Sequence, residues 1–225
     1  NVKGIKEGTA KITVSNALGE LATCTVTVKA ASSGEVCEIY PDVAHGSWYE
    51  GAVQYVHDNG IMTGSNGLFK PEGEDGKLLR QQFVMILWRM EGEPAAKTDA
   101  AIKDLQDING DEWYIDALCW AYENGVVTGV GGTMFKGANP ITRQQLATMM
   151  YRYADKMGYD TSKTADYSNM PGANDVESYA AEGMAWAVGS GIISGSGADK
   201  ALNPTAGATR AQIATVIQRF CEENK

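Results

Sequence analysis

Gly125-Val126-Val127-Thr128-Gly129 sits near the middle of the chain, and close variants stand on either side of it, Gly60-Ile61-Met62-Thr63-Gly64 and Gly191-Ile192-Ile193-Ser194-Gly195. Their first glycines are 65 and 66 residues apart. Twelve positions before each first glycine stands an aromatic residue: Trp48, Trp113 and Tyr179. An arginine follows the closing glycine after 16, 14 and 15 residues: Arg80, Arg143 and Arg210. One such pentapeptide would mean little. Three features in one order, three times over, mark an internal repeat.

Each repeat reads as helix, loop, helix. The first helix is expected to run from the aromatic to the glycine, as in Trp113-Tyr114-Ile115-Asp116-Ala117-Leu118-Cys119-Trp120-Ala121-Tyr122-Glu123-Asn124. The glycine then serves as a C-cap, where positive φ is needed. The second helix starts near the arginine. Its apolar residues recur at helical spacing: Phe83, Ile86, Leu87 and Met90; Leu146, Met149, Met150 and Tyr153; Ile213, Val216, Ile217 and Phe220. Two short helices cannot bury such faces alone, so the three units are expected to share one core. Connections are expected near Glu93-Pro94-Ala95-Ala96 and Asp160-Thr161-Ser162-Lys163.

Ahead of the repeats the period changes from helical to alternating. Lys11-Ile12-Thr13-Val14-Ser15 and Ala22-Thr23-Cys24-Thr25-Val26-Thr27-Val28 are β-branched with period two, and residues 16–20 turn between them. Two strands alone are marginally stable, so the chain reads as the tail of a longer protein. Residues 30–35, Ala-Ala-Ser-Ser-Gly-Glu, read as a linker.

Composition narrows the function. A net charge of -9 disfavours nucleic acid, because binding a polyanion by bulk charge needs a basic surface. Any anion must be held by a few placed cations. No run of about 18 apolar residues is present, so no membrane insertion is expected. The four cysteines, Cys24, Cys37, Cys119 and Cys221, lack CxxC spacing, which argues against zinc. Cys24 reads as a small buried hydrophobe. Cys37 and Cys221 stand at the two ends of the repeat array, so a bridge between them and free thiols are both open.

These motifs resemble the S-layer homology (SLH) family. Its pattern is an aromatic-x-Asp-Val opening, a Trp-led helix, Gly-Ile-x-x-Gly, Phe-x-Pro and a Thr-Arg-Ala-Glu helix start. The first copy matches it with Tyr40-Pro41-Asp42-Val43, Trp48, residues 60–64, Phe69-Lys70-Pro71 and Leu79-Arg80-Gln81-Gln82. The second has Ile102-Lys103-Asp104-Leu105, Trp113, residues 125–129 and Ile141-Thr142-Arg143-Gln144-Gln145. The third has Tyr167-Ser168-Asn169-Met170, Tyr179, residues 191–195, Leu202-Asn203-Pro204 and Ala208-Thr209-Arg210-Ala211-Gln212. Glutamine replaces the family glutamate throughout (Gln82, Gln145, Gln212), Leu79 replaces the threonine, and the third copy has Asn169 and Tyr179. The N-terminal strands are similar to the last strands of a bacterial Ig-like domain.

The resemblance implies a mainly α fold, with three helix-loop-helix repeats packed as a pseudo-threefold, three-pronged bundle behind a short β piece from an Ig-like sandwich. The boundaries expected are 1–30 for the Ig-like strands, 31–38 for a linker, and 39–98, 99–162 and 163–225 for the repeats. It also implies non-covalent anchoring of a surface protein in the cell wall or S-layer of a Gram-positive bacterium, outside the cell. The partner would be an acidic secondary cell-wall polysaccharide, often carrying pyruvylated N-acetylmannosamine, held in grooves between repeats. No cofactor is implied.

The residues themselves give this a chemical basis. Thr142 with Gln145 and Thr209 with Gln212 form capping boxes, a structural role; Leu79 cannot cap. The arginine is anomalous, since a cation in the first turn of a helix opposes the macrodipole. Either Arg80, Arg143 and Arg210 meet an internal acid such as Asp42 or Asp104, or they await a ligand carboxylate, held bidentately with help from the helix N-terminal amides. Trp48, Trp113 and Tyr179 are either core aromatics or flat faces for a sugar ring. Gly64, Gly129 and Gly195 serve a tight turn, close ligand approach, or both. Asp42 and Asp104 could also accept from sugar hydroxyls.

Other chemistries fit poorly. Asp107-Ile108-Asn109-Gly110-Asp111-Glu112 lacks the glycine and closing glutamate of a calcium loop. His45 and His57 have no metal partner at useful spacing and read as solvated. No nucleophile–base arrangement or phosphate-binding loop is visible, so the chain is not read as an enzyme. Two readings remain: a glycan-binding anchor, or a structural module that contacts other surface-layer proteins and assembles without any sugar.

Overall fold

The computed structural model describes residues 37–224, Ala101 by its backbone alone, and the backbone of residues 8–16 and 19–28. Strands β1 (Gly8–Asn16) and β2 (Gly19–Val28) pair antiparallel, with an irregularity at Val14/Ser15. Their side chains, Cys24 among them, and the linker at 30–35 lie outside the described residues.

Six helices follow: α1 (Glu50–Asp58), α2 (Arg80–Met90), α3 (Ile115–Glu123), α4 (Arg143–Met157), α5 (Ala181–Gly189) and α6 (Arg210–Glu223). The first helix of each repeat starts two residues after the aromatic, not at it. Trp48 and Trp113 lie in turns, and Tyr179 lies in the short 3-10 turn Ser178–Ala180. The helices end as expected, with Gly60, Gly125 and Gly191 at φ of 67°, 69° and 76°. That left-handed conformation costs a residue with a Cβ about 1 kcal/mol or more.

The second helices begin at the arginines. The hydroxyl of Thr142 accepts from the Gln145 amide at 3.3 Å, and the Gln145 side chain accepts from the Thr142 amide at 3.2 Å. Thr209 and Gln212 repeat the pair at 3.3 and 3.2 Å. At α2 only half of the box exists, the Leu79 amide donating to Gln82 Oε1 at 3.0 Å. This helix is also the shortest of the three, turning out through Gly92 and Glu93, both at positive φ, before Pro94.

The helices pack across repeats. α2 lies on α3, α4 on α5, and α6 closes the ring on α1. The segments leading into the second helices meet in a cycle of backbone bonds. The Leu78 amide donates to the Ala208 carbonyl (3.0 Å), Ala208 to Ile141 (2.8 Å), and Ile141 back to Leu78 (2.9 Å). Around it Arg80, Arg143 and Arg210 donate their backbone amides to the carbonyls of Asn139, Ala206 and Gly76. Gln81, Gln144 and Ala211 donate to Gly137, Pro204 and Pro71. So the orphan amides at each helix start, which have no partner within the helix, are satisfied by a neighbouring repeat.

One core runs through all three repeats, including Phe83, Leu87, Leu146, Met150, Ile213, Ile217 and Phe220. Of the apolar positions predicted on the second helices, Met90 alone is half-buried instead of buried. Cys37, Cys119 and Cys221 are thiols, and no bridge joins Cys37 to Cys221. Because Thr142 and Thr209 cap the helices that close this core, Thr142→Ala and Thr209→Ala are each expected to lower stability by about 1 kcal/mol, read from urea midpoints at unchanged slope.

Candidate functional site

Three grooves of about 470, 540 and 430 Å³ lie between the prongs, each in the range of small-ligand sites. Every groove draws on all three repeats. The groove of repeat 1 is walled by Thr63, Gly64 and α2, takes Trp113 from repeat 2, and takes Arg210 from repeat 3. The groove of repeat 2 is walled by Thr128, Gly129 and α4, with Tyr179 from repeat 3 and Arg80 from repeat 1. The groove of repeat 3 is walled by Ser194, Gly195 and α6, with Trp48 from repeat 1 and Arg143 from repeat 2.

The aromatics are therefore not core residues. Trp48, Trp113 and Tyr179 are 59%, 62% and 46% exposed, while their neighbours Tyr49, Tyr114 and Ala180 are buried. The rings of Trp48 and Trp113 stand nearly perpendicular to those of Tyr49 and Tyr114, with centroids 5.2 and 5.4 Å apart. The closing glycines are required by crowding. A Cβ at Gly64 would lie 2.5 Å from the Leu68 carbonyl oxygen, and one at Gly195 would lie 2.1 Å from that of Lys200.

None of the three floor arginines has an acid within 4 Å among the described residues, and Asp107 and Asp42 act on Arg80 and Arg210 only from farther away. Each uses its Nε on a backbone carbonyl of the next repeat: Arg80 on Phe135 at 3.1 Å, Arg143 on Leu202 at 2.7 Å and Arg210 on Phe69 at 2.6 Å. Arg80 and Arg210 also lie over the rings of Phe135 and Phe69, at 5.3 and 4.7 Å. Burial pulls all three guanidinium groups below their usual pKa. The helix N-terminal amides expected to assist them are already taken by the neighbouring repeats.

Asp42 is engaged in building the loop. Its carboxylate accepts from the Phe69 and Lys70 amides at 2.9 and 2.6 Å. In repeat 2 this role falls to Asp107, which accepts from Phe135 and Lys136 at 2.8 and 2.6 Å. Asp104 is exposed and lines none of the three grooves, so the register that paired it with Asp42 is corrected by three residues. In repeat 3 the Pro171 carbonyl takes the Leu202 amide at 2.8 Å, and no carboxylate is needed. In the 107–112 loop Glu112 is likewise bound to backbone amides, those of Asn109 and Gly110. His57 is half-buried and accepts or donates at Nδ1 with the Tyr40 hydroxyl, 2.9 Å away, so it is not merely solvated.

The sequence reading missed a second arginine in each groove. Arg89, Arg152 and Arg219 line the grooves of repeats 1, 2 and 3. Each stands nine residues after a floor arginine, and these are all six arginines of the chain. Nine residues are two and a half turns of helix, so the two side chains leave on opposite sides. The first serves the neighbour's groove and the second its own. Arg152 donates to Thr128 Oγ1 at 2.9 Å, and Arg219 donates to Ser194 Oγ at 3.3 Å. Arg89 lies 3.7 Å from Glu93 instead.

A sequence profile described as "S-layer homology domain" matches residues 39–74, 106–147 and 174–214, together more than half of the chain. The chain belongs to the S-layer homology domain family. The three SLH repeats are cell-wall or S-layer anchoring modules, and such modules are non-catalytic adaptors. Among curated proteins the chain is similar to the Surface-layer 125 kDa protein of Lysinibacillus sphaericus, 30% identical over 76% of this chain and 14% of that protein. It is 26% identical to an endoglucanase of Bacillus sp. (strain KSM-635), over 79% of this chain and 18% of that protein. S-layer protein EA1 of Bacillus anthracis is 29% identical over 52% of this chain and 14% of its own length. The SLH chain thus spans less than a fifth of these relatives. Among the described residues no helix is long and apolar enough to cross a membrane, and no group of three metal-ligating side chains occurs.

Beside the repeat 2 groove, the Tyr122 hydroxyl is buried without a hydrogen-bond partner among the described residues, and burial pushes its pKa up to about 12. Tyr122→Phe removes that unpaired group and is expected to raise stability by about 1 kcal/mol, seen as a higher thermal midpoint.

Proposed function

We propose that this SLH module anchors its parent protein by binding an acidic, pyruvylated secondary cell-wall polysaccharide in the grooves between repeats. One observation carries the reading. In a chain of net charge -9, all six arginines line the three grooves, two to each, and among the described residues no floor arginine has an acid within 4 Å. Guanidinium offers a planar fork that matches a carboxylate, and a pyruvyl ketal supplies one. The exposed faces of Trp48, Trp113 and Tyr179 suit the apolar side of a sugar ring at the same grooves. Gly64, Gly129 and Gly195 let the sugar approach the backbone. Asp42 supports the loop and is not assigned a sugar contact, and Asp104 is left out.

The division of the chain proposed here follows the sequence: an Ig-like end at 1–30, a linker at 31–38, and repeats at 39–98, 99–162 and 163–225. The similarity to two surface-layer proteins supports a position in the wall or surface layer of a Gram-positive bacterium. The cargo would lie outside this chain.

Co-sedimentation of the full chain with purified Gram-positive cell walls tests the reading. Binding is expected to vanish when the secondary polymer, or its pyruvyl groups alone, are removed. Arg143→Ala is expected to weaken binding about tenfold or more, since losing one of several linked sites lowers avidity by such factors, with the circular dichroism spectrum unchanged. Binding that survives removal of the polymer would assign the repeats to protein–protein assembly instead.

A further inference from the structure

Repeat 1 ties the wall of its groove to a hydrogen-bonded chain that ends on an imidazole. The Gly64 amide donates to the Tyr40 hydroxyl at 2.8 Å, and that hydroxyl lies 2.9 Å from Nδ1 of His57 on α1. Tyr40 is buried, and its ring stands nearly perpendicular to the imidazole with centroids 5.3 Å apart. It also presses on the wall, since a Cβ at Gly64 would lie 2.5 Å from Tyr40 Cε1. A phenol has one hydrogen to donate. Its oxygen already accepts from Gly64, and His57 Nδ1 is the acceptor within reach of that hydrogen. Nδ1 is then bare and the ring proton sits on Nε2. The chain runs from Gly64 to Tyr40 to His57.

A second proton on His57 breaks this order. Both ring nitrogens then donate, and the Tyr40 O–H is left buried without an acceptor, which is costly. The charged groups nearby do not replace the lost acceptor. Arg210 acts on Tyr40 from α6, but it has donors only, and it is bonded to the Phe69 carbonyl and, from Nη2 at 2.8 Å, to that of Thr63. Asp42 is held by the Phe69 and Lys70 amides, and Asp58, the next residue of α1, by Gln54. Glu222 and Cys221 of α6 act on Tyr55, which leaves α1 on nearly the opposite side from His57.

The sister repeats are built differently at this place. The position of His57 is taken by Tyr122 in repeat 2 and, 66 residues further on, by Val188 in repeat 3. Neither residue type changes charge near neutral pH. The position of Tyr40 is taken in repeat 2 by Leu105, which has no hydroxyl to pass on.

We infer that His57 is an acid-released latch on the wall of the repeat 1 groove: neutral, it holds Tyr40 and through it Gly64; protonated, it lets both go. Thr63, whose carbonyl Arg210 grips, precedes Gly64 directly, so the release reaches the floor arginine as well. The latch acts on one wall of the three and holds whatever ligand the grooves take.

NMR of the full chain tests it, with the two imidazoles told apart by His45→Gln; His45 sits on the Glu50 carboxylate at 2.7 Å. At about pH 8 the His57 ring is expected as the Nε2–H tautomer. As the pH falls to about 5, across the interval in which imidazoles gain charge, hydrogen-exchange protection of the Gly64 amide is followed relative to an unstructured amide at the same pH. It is expected to drop about tenfold or more in step with His57 protonation. His57→Gln, whose side-chain oxygen accepts a hydrogen bond and does not titrate, is expected to keep Gly64 protected throughout. Should that variant fail to fold, the tautomer and the Gly64 protection of the unaltered chain still decide. An Nδ1–H tautomer at about pH 8, or Gly64 protection indifferent to the charge on His57, overturns the latch. The same acid loss in His57→Gln overturns it too, because the sensitivity then lies in another group.

Discussion

Three backbone hydrogen bonds, from Leu78 to Ala208 to Ile141 and back to Leu78, hold the strand-like entries to α2, α4 and α6 against one another. Everything else in the bundle is placed by that ring. A helix start carries unpaired amides that must find acceptors, and here those acceptors lie on the next repeat in the cycle. No repeat can complete its own helix start alone. The same dependence appears in the packing, where the second helix of each repeat lies on the first helix of the next. Cooperativity among the three units follows from where the acceptors are.

The ring also fixes the grooves. With each second helix standing between two prongs, side chains on its opposite sides enter two different grooves. An arginine at the first helical position and another nine residues on therefore supply a floor to the neighbour and a wall to the helix's own repeat. The cation that seemed misplaced against the helix dipole is held there by a carbonyl of the following repeat. Its Nε bond to that carbonyl ties two repeats together, and the same residue lines a groove.

Much of this was legible in the residues. The Gly-aliphatic-x-Thr/Ser-Gly triplet, the helix C-caps and the Thr–Gln capping boxes follow from local chemistry, and the structure has them where the pattern put them. The paired arginines are equally legible, since nine-residue spacing occurs three times and accounts for every arginine. The pairing of Asp104 with Asp42 failed for a different reason. A loop carboxylate is recognised by the amides it accepts from, and the amides of Phe135 and Lys136 are 28 and 29 residues from Asp107 in sequence. Where repeat 3 uses the Pro171 carbonyl for the same task, no side-chain pattern exists to be aligned.

The sequence by itself determined the number of repeats, the helices within them and the residue types available to a ligand, because periodicity, capping and composition are properties of neighbouring residues. Only the tertiary structure decided that each groove is built from three repeats, that the aromatics are exposed, and that Arg210 is tied to Thr63 while the side chains of Arg80 and Arg143 bond to the protein through Nε alone among the described residues. Those outcomes depend on which carbonyl lies within about 3 Å of which donor. That distance is set by the closure of the ring across more than a hundred residues of chain, which no local pattern encodes.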